Sequence, residues 1–365
     1  MKAIKYIAIA AAALAIAGCS KWTEQEPVEV LYPSLKDKNP ALYAQYMESI
    51  REYGATEHPV LIAKFDNKRT APSGRAEHLN CLPDSVDFVI LNNPAELSEA
   101  TIAEMKEIKE EKAVPTLMEI RYDALLKEWE NLLADEAEAK KAEWDALSPE
   151  EQEARKEAFD ADTRGVDDQD RFIAFADEKV RASLAVADEY AYDGVNVVFA
   201  GKNPAALWEE QQALAKARYD AFLKPVTDWA GDAKILFFEG NPKHLLTDTD
   251  ILARAKYIIL PCESLQTGRA FDYTVAGVMG GNVPADKFVI GVTALDVTDE
   301  TAVNGTFTGG ISAIVGAAQW TVAPADGFAK KGVCVNHAQF DYYNIRRVYG
   351  QIGAAISIMN PSPVK

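Results

Sequence analysis

The chain has 365 residues, of which 48% are hydrophobic and 26% are charged, a composition typical of folded globular proteins. Its 56 carboxylates outnumber its 38 lysine and arginine side chains, which gives a net charge of −18. Because surfaces that follow a nucleic acid backbone need clustered lysines and arginines, the sequence predicts no nucleic-acid partner. Neutral sugars are compatible with so acidic a surface.

The first 18 residues have the pattern of a bacterial export signal. Lys2 and Lys5 precede an apolar run over residues 6–17, which is too short for the roughly 20 residues of a membrane-spanning helix. Small residues lead up to Gly18 and Cys19, as in lipoprotein signals. We therefore predict cleavage after Gly18 and lipidation of Cys19, with an ordinary secretory signal and an incidental cysteine as the alternative.

Residues 19–35 are predicted to form the lipidated tether, because residues 21–30 are polar, acidic and contain a proline, as flexible spacers do. Several acyl chains hold a protein firmly on a membrane. We expect the folded body to be anchored to the outer membrane and exposed at the cell surface. Cleavage removes two lysines and no carboxylate, which leaves a mature net charge near −20.

Three cysteines remain after Cys19, namely Cys81, Cys262 and Cys334, so at most one disulfide can form. We predict that they are free, buried thiols. No metal-ligand spacing joins them to the four histidines, so the sequence predicts neither a metal nor a cofactor.

Short β-branched or aromatic runs alternate with amphipathic helical stretches along the rest of the chain. Apolar strands separated by helices indicate a parallel sheet that is covered on its outside, and eight such units close a (β/α)8 barrel. A doubly wound sheet, the alternative, would need a glycine-rich turn after an early strand, and residues 65–70 contain no glycine. We predict an α/β fold, a single (β/α)8 TIM barrel over residues 36–365. The eight candidate strands are residues 60–66, 86–92, 114–122, 194–201, 234–239, 257–262, 288–295 and 332–337.

A helical insertion of nearly forty residues, about 123–161, interrupts this alternation after the third strand. Ser148, Pro149 and Glu151 form a capping-box pattern, which divides the insertion into a helical hairpin. Its apolar stripe, with Trp129 and Trp144, is predicted to pack rather than to bind a ligand. The other predicted helices are residues 95–112, 167–190, 205–229 and 344–359.

The fourth candidate strand begins with Asp193-Gly194 and continues through Asn196 and Val198 to Ala200. Its spacing resembles the Asp-Gly-x-Asp-x-Asp-x-Glu motif of glycoside hydrolase family 18, which includes chitinases and endo-β-N-acetylglucosaminidases. Asp193 and Gly194 match that motif. Asn196 and Val198 replace its two later aspartates, and Ala200 replaces its glutamate.

The resemblance implies that this chain has lost the family's catalytic groups. In the family the glutamate protonates the glycosidic oxygen and the neighbouring aspartate orients the substrate's N-acetyl group, which is the nucleophile. Neither Val198 nor Ala200 can perform these tasks, and general acid catalysis is worth roughly 10²- to 10⁴-fold in rate. The sequence therefore predicts no catalytic residue and little hydrolysis.

Other segments are similar to lipoprotein members of the family from Bacteroidetes, thinly over residues 19–361. They include His58-Pro59, residues 82–87, and the late strand followed by Arg346 and Asn360-Pro361. The sixth strand ends at Glu263, without the Gln and Tyr that active relatives carry there. The resemblance implies a non-catalytic glycan-binding lipoprotein that captures oligosaccharides containing N-acetylglucosamine, such as N-glycans, beside outer-membrane glycan-import proteins.

In a barrel, ligand contacts come from the carboxyl ends of the strands. Sugar sites combine amides and carboxylates with aromatic platforms, and Trp208, Trp320, Tyr342 and Tyr343 lie in candidate rim segments. The predicted ligand-binding residues are Asp66, Asn67, Asn92, Glu119, Tyr122, Phe199, Lys202, Asn203, Glu239, Asn241, Glu263 and Gln339.

Two other functions remain open. The first is an active endoglycosidase whose acid has moved to Glu119, Glu239 or Glu263. The second is a structural lipoprotein that holds the surface proteins of a glycan-import complex together and contacts no glycan.

Overall fold

The computed structural model describes residues 35–68, 70–299, 301–302 and 304–361. The predictions for the signal peptide, for Cys19 and for all but the last residue of the tether lie outside these described residues. The chain divides into two units, with the boundary between Glu48 and Ser49. The described part of the first unit contains helix α1 (Leu35–Lys38) and the beginning of helix α2 (Pro40–Gly54).

The second unit contains a closed barrel of eight parallel strands, which confirms the predicted (β/α)8 fold. Around the barrel each strand pairs with the next in chain order, and the last pairs with the first, in the order β1-β10-β7-β6-β5-β4-β3-β2. Closure rules out the doubly wound alternative. The barrel strands are β1 (Val60–Phe65), β2 (Phe88–Leu91), β3 (Thr116–Arg121), β4 (Gly194–Phe199), β5 (Ile235–Gly240), β6 (Tyr257–Pro261), β7 (Phe288–Thr293) and β10 (Lys330–Asn336).

Helices lie between the barrel strands, and the predicted helices are all observed with shifted ends. A small antiparallel hairpin, β8 (Thr306–Phe307) and β9 (Ile311–Ser312), follows the seventh barrel strand; strands of two residues carry no alternation that a sequence pattern could reveal. The helices are α3 (Glu99–Lys112), α4 (Tyr122–Asp145), α5 (Pro149–Ala161), α6 (Gln169–Glu189), α7 (Glu209–Ala230), α8 (Ile251–Arg254), α9 (Gly268–Val278), α10 (Ala313–Val322) and α11 (Gly350–Met359).

Successive side chains of each strand alternate between the barrel interior and the layer of helices. Nine buried residues, among them Ile62, Leu117 and Phe237, form an apolar cluster inside the barrel. Two residues further along the same three strands stand Lys64, Glu119 and Glu239. Since all the strands are parallel, the interior is apolar towards the amino ends and polar at the carboxyl ends.

The helical hairpin α4–α5 confirms the predicted insertion. Ser148 accepts a hydrogen bond from the Glu151 amide while the Glu151 side chain binds back to Ser148, so the predicted capping box is present. Trp129 is buried against Phe172, and Trp144 contacts Phe159 with ring centroids 4.2 Å apart. Both indoles therefore pack within the protein, as predicted.

The Asp-Gly pair at the start of β4 serves the barrel framework. A Cβ on Gly194 would lie 1.9 Å from the Ile235 carbonyl oxygen, so only glycine fits between β4 and β5. The Asp193 carboxylate accepts a hydrogen bond from the Thr116 amide at 2.9 Å and pairs with Lys109. The matching half of the strand-four motif thus has a structural role at the amino end of the barrel.

Within the described residues, no helix is both long enough and apolar enough to span a bilayer.

Candidate functional site

The carboxyl end of the barrel interior holds a buried ion cluster, which we call the central ion cluster: Lys64, Glu119 and Glu239. The Lys64 ammonium lies 2.6 Å from Glu119 Oε2, and 3.0 and 2.9 Å from the two oxygens of Glu239. The three side chains come from β1, β3 and β5, which matches the layers that alternate strands build inside such barrels. Two of the predicted ligand-binding carboxylates are therefore brought together, but by a lysine that the sequence interpretation did not single out.

Burial strengthens the attraction between the charges of this cluster, because solvent screens them little. The side chains of Lys64, Glu119 and Glu239 are 5%, 4% and 7% exposed. Burial alone would lower the pKa of Lys64, but the two carboxylates outweigh it and raise that pKa above its ordinary value. Lys64 is therefore charged at neutral pH, and it holds both glutamates as ion pairs.

The strand-four positions complete the cluster without supplying an acid. The Asn196 Nδ2 group donates to Glu239 Oε2 at 2.6 Å, and Asn196 is fully buried. Val198 is buried two residues further along β4, and Ala200 lies exposed just beyond the strand. The degenerate motif positions therefore present an amide, an isopropyl group and a methyl group, and none of these can donate a proton to a glycosidic oxygen.

A second group of polar side chains, which we call the rim network, joins β1, β2 and the segment after β10. Asp66 accepts hydrogen bonds from Asn92 Nδ2 at 2.5 Å, from Gln339 Nε2 at 2.6 Å and from the His337 ring. Burial opposes ionisation of Asp66, but hydrogen bonds from His337, Gln339 and Asn92 outweigh it and lower the pKa. Three predicted ligand-binding residues, Asp66, Asn92 and Gln339, therefore lie in one hydrogen-bonded network.

Glu263 follows β6, and its pKa is shifted in the opposite direction from that of Asp66. Burial raises its pKa above the ordinary value, and the nearby charge of Glu239 acts in the same direction. Asn336 Nδ2 donates to Glu263 Oε1 at 2.5 Å. A Cβ on Gly291 would lie 3.2 Å from the Leu260 carbonyl oxygen and in ordinary contact, 3.5 Å, with that Glu263 oxygen.

Arg121 extends the polar surface outward from the central ion cluster. Its guanidinium donates to Glu119 at 2.8 Å and forms two hydrogen bonds with Asp123. The carboxyl end of the barrel therefore carries paired charges of both signs rather than a field of one sign, which is compatible with a neutral polar ligand.

Several predicted ligand-binding residues have structural roles within the chain. The Asn67 side chain is occupied by hydrogen bonds with the backbone of Asn93. Asn203 and Asn241 cap short 3₁₀ helices by accepting from the Ala205 and Lys243 amides. Strand ends and helix starts use asparagine for these purposes, and the sequence pattern did not separate such caps from ligand contacts.

The candidate aromatic residues divide between packed and exposed positions. Phe199 is 2% exposed and stacks on Tyr122 between the barrel and its helices, so it has no face for a ligand. Trp320 is buried and donates to Asp272 at 2.8 Å. Of the four predicted rim aromatics, Trp208 and Tyr343 are exposed. Tyr342 is partly buried against Tyr349.

Lys64, Arg121, Asn336 and His337 belong to the site, but the sequence interpretation did not single them out. A lysine inside the otherwise apolar run Val60–Phe65 was an available signal, because a charged side chain inside a buried strand must find a partner. No comparable signal existed for the other three. No group of three or more His, Cys, Asp or Glu side chains in the described part of the chain is placed to hold a metal ion.

This geometry, a closed parallel barrel with its polar groups at the carboxyl ends of the strands, is that of barrel enzymes and their binding relatives. A family model described as glycoside hydrolase family 18, BT1044-like, matches residues 23–358. The chain belongs to this family.

Solved structures agree on the fold. The chain is similar to a variant of the selenomethionine form of BT1044, with 18% identity, a TM-score of 0.58, and 89% of this chain and 95% of that chain covered. It is also similar to the endo-β-N-acetylglucosaminidase of Cordyceps militaris in its apo form, with 14% identity, a TM-score of 0.53 and coverage of 87% and 96%. A double variant of that enzyme, in complex with fucosyl-N-acetylglucosamine-Asn, has 15% identity and a TM-score of 0.52, with 86% of this chain and 95% of that chain covered. No curated protein matches this chain.

Proposed function

We propose that this chain is a non-catalytic glycan-binding member of its family, which captures oligosaccharides containing N-acetylglucosamine, such as N-glycans. The observation that carries the proposal is the loss of carboxylates from the motif positions in β4 and just after it. The strand occupies its place in the barrel, but Asn196, Val198 and Ala200 stand where the family motif has carboxylates.

The other interior carboxylates do not compensate for this loss. Glu119 and Glu239 both contact the Lys64 ammonium, at 2.6 and 2.9 Å, and they also accept hydrogen bonds from Arg121 and Asn196. A general acid must be free to reach the glycosidic oxygen to which it donates its proton. The central ion cluster therefore suits binding and rigidity rather than acid catalysis.

The ligand class is supported by the chemistry at the carboxyl face. The rim network offers amide and carboxylate groups for sugar hydroxyls, and it includes the exposed His337. The related endoglycosidase variant from Cordyceps militaris was solved with a ligand that contains N-acetylglucosamine. By this relationship we assign the present chain to the same kind of sugar.

We further propose that the protein acts at the outer face of the outer membrane, anchored through Cys19 beside glycan-import proteins. A binder that releases no product is useful where its captured ligand stays close to the cell. Protease treatment of intact cells tests this location: we expect digestion of the folded body without lysis. Resistance in intact cells, together with digestion after lysis, would place the protein inside.

The binding proposal is tested by calorimetric titration of the soluble chain, without residues 1–19, against asialo N-glycans and chitooligosaccharides. We expect saturable binding, which Gln339→Ala and His337→Ala weaken because both side chains belong to the rim network. Tyr273→Ala, an exposed aromatic on α9, is the matched control and should bind as the wild type does. Absence of binding across both glycan classes would favour a structural role.

One observation supports a second candidate function, hydrolysis by a relocated acid. Burial raises the pKa of Glu263, as a proton donor requires. If Glu263 is that acid, the wild type releases reducing ends from a bound glycan and Glu263→Gln does not. The proposal of binding alone predicts no release from either protein.

A further inference from the structure

A groove of about 400 Å³ runs beside the carboxyl end of β4, between the inserted helix α4 and helix α7. Ala200, just after β4, lines one end of it. Tyr122 and Leu126 of α4 line one side, and Leu214 and Tyr219 of α7 line the other. The groove therefore opens next to the barrel face that carries the candidate site, and it exists because the insertion stands beside α7.

The floor of this groove is rigid and aromatic. Tyr122 is 3% exposed, stacks on Phe199 with centroids 5.2 Å apart and meets Tyr219 edge-on at 5.4 Å. The Tyr219 hydroxyl accepts a hydrogen bond from the Lys202 amide at 3.0 Å, which fixes the loop after β4 against the floor. A packed floor of this kind needs no reorganisation before it binds a ligand.

The charges along the groove are mostly paired with each other. Arg218 donates to Asp167 at 2.8 Å and to Gln169 at 2.8 Å, and its guanidinium lies over the Phe172 ring. The Lys202 ammonium has no partner among the residues that the structure describes. The lining thus combines apolar surface, paired charges and the Lys202 ammonium, whose N–H groups can donate to the hydroxyls of a neutral polar ligand.

Apolar side chains also stand exposed in and beside this groove. Leu214, which lines it, is 51% exposed, and Trp208, next in sequence to the lining residue Leu207, is 80% exposed. Indole combines a large flat apolar face with one N–H donor. The C–H face of a pyranose ring packs on such a surface while its hydroxyls remain available for hydrogen bonds.

We propose that this groove is a second binding subsite, which holds an outer arm of a neutral oligosaccharide whose inner residues occupy the carboxyl face of the barrel. The inference rests on the proposed glycan-binding function. It assigns the helical insertion, together with Trp208, Leu214 and Lys202, to the selection of long or branched glycans over short ones.

The test compares long and short members of two glycan pairs by calorimetric titration: chitohexaose with chitobiose, and an asialo biantennary N-glycan with its trimannosyl-chitobiose core. For the pair that binds, we expect Trp208→Ala and Leu214→Asn each to weaken the long glycan about tenfold and to leave the short one unchanged. Both side chains are exposed, so the variants should fold. Unchanged circular dichroism and melting temperature confirm that they do, and Tyr273→Ala is the control.

The possible failures can be told apart. If neither pair binds the wild type, the proposed function fails and the groove proposal fails with it. If the wild type binds but the variants lose nothing, or lose the short and long glycans equally, only the groove proposal is overturned. Variants that keep all glycan binding but lose a protein partner would assign the groove to protein docking instead.

Discussion

Lys64 sets the chemistry of the carboxyl end of the barrel. Its ammonium faces Glu119 and Glu239, and Asn196 adds a hydrogen bond to Glu239. Ion pairs between buried groups are weak evidence for net stability, but they are sensitive to the loss of one partner, because the remaining charge is then buried alone. The cluster therefore makes a clear prediction for a single substitution.

Lys64→Met should lower the free energy of unfolding by about 3–5 kcal/mol, since it leaves the buried carboxylate of Glu239 without a counter-charge and Glu119 with Arg121 alone. Urea unfolding measures this change. Lys127→Met is the control, because Lys127 is 69% exposed and pairs with Glu130 at 3.5 Å, and exposed pairs contribute about 1 kcal/mol or less. A Lys64→Met protein as stable as the control would show that the cluster is not held by charge.

The His337–Asp66 pair predicts a pH dependence of stability. The hydrogen bond to Asp66 raises the pKa of His337 above its ordinary value, so the folded state binds this proton more tightly than the unfolded state does. The resulting stability is fully present below the unfolded pKa of about 6.5, and it is lost as the pH rises through the higher folded pKa.

We therefore expect the melting temperature of the wild type to fall more between about pH 6 and pH 8 than that of His337→Asn. The difference between the two proteins isolates this pair, because the similar His58–Asp87 pair is present in both. An identical pH dependence in the two proteins would contradict the assigned pairing.

At the scale of elements, the sequence patterns identified the barrel strands because a buried parallel strand is apolar on both faces. They also identified the division of the insertion at Ser148, because a capping box is a local feature of four residues. They did not reveal the β8–β9 hairpin, whose strands are two residues long. The sequence therefore predicted the elements that are long or that carry a capping motif.

Helix α5 offers a test of local stability at this scale. It has no buried residue and begins at the Ser148 cap, so Ser148→Ala should cost about 1 kcal/mol locally. We expect faster amide exchange across residues 149–161 and an unchanged global unfolding transition. Thr267→Ala removes the cap of α9, a helix with buried Phe271 and Val275, and should lower the global transition. Equal effects of the two changes would show that α5 unfolds together with the barrel.

For the whole molecule, the fold was more predictable than the site. The number of strands and their alternation with helices determine a closed barrel, and closure places the carboxyl ends at one face. Which side chains meet there depends on pairings between distant strands, such as Lys64 with Glu239 and Asp66 with Gln339. Those pairings follow from the closed geometry, and no local sequence pattern indicates them, which is why the sequence did not distinguish the residues of the two networks from Asn67 and Asn203, which bind neighbouring backbone.

The central claim is that the barrel binds a glycan without cleaving it. It is tested most directly by one incubation of the soluble chain with a glycan that it binds in calorimetry, followed by measurement of newly released reducing ends. The account predicts saturable binding and no reducing ends above the protein-free control. Release of reducing ends by the wild type that disappears in Glu263→Gln would contradict it and would identify the chain as a hydrolase.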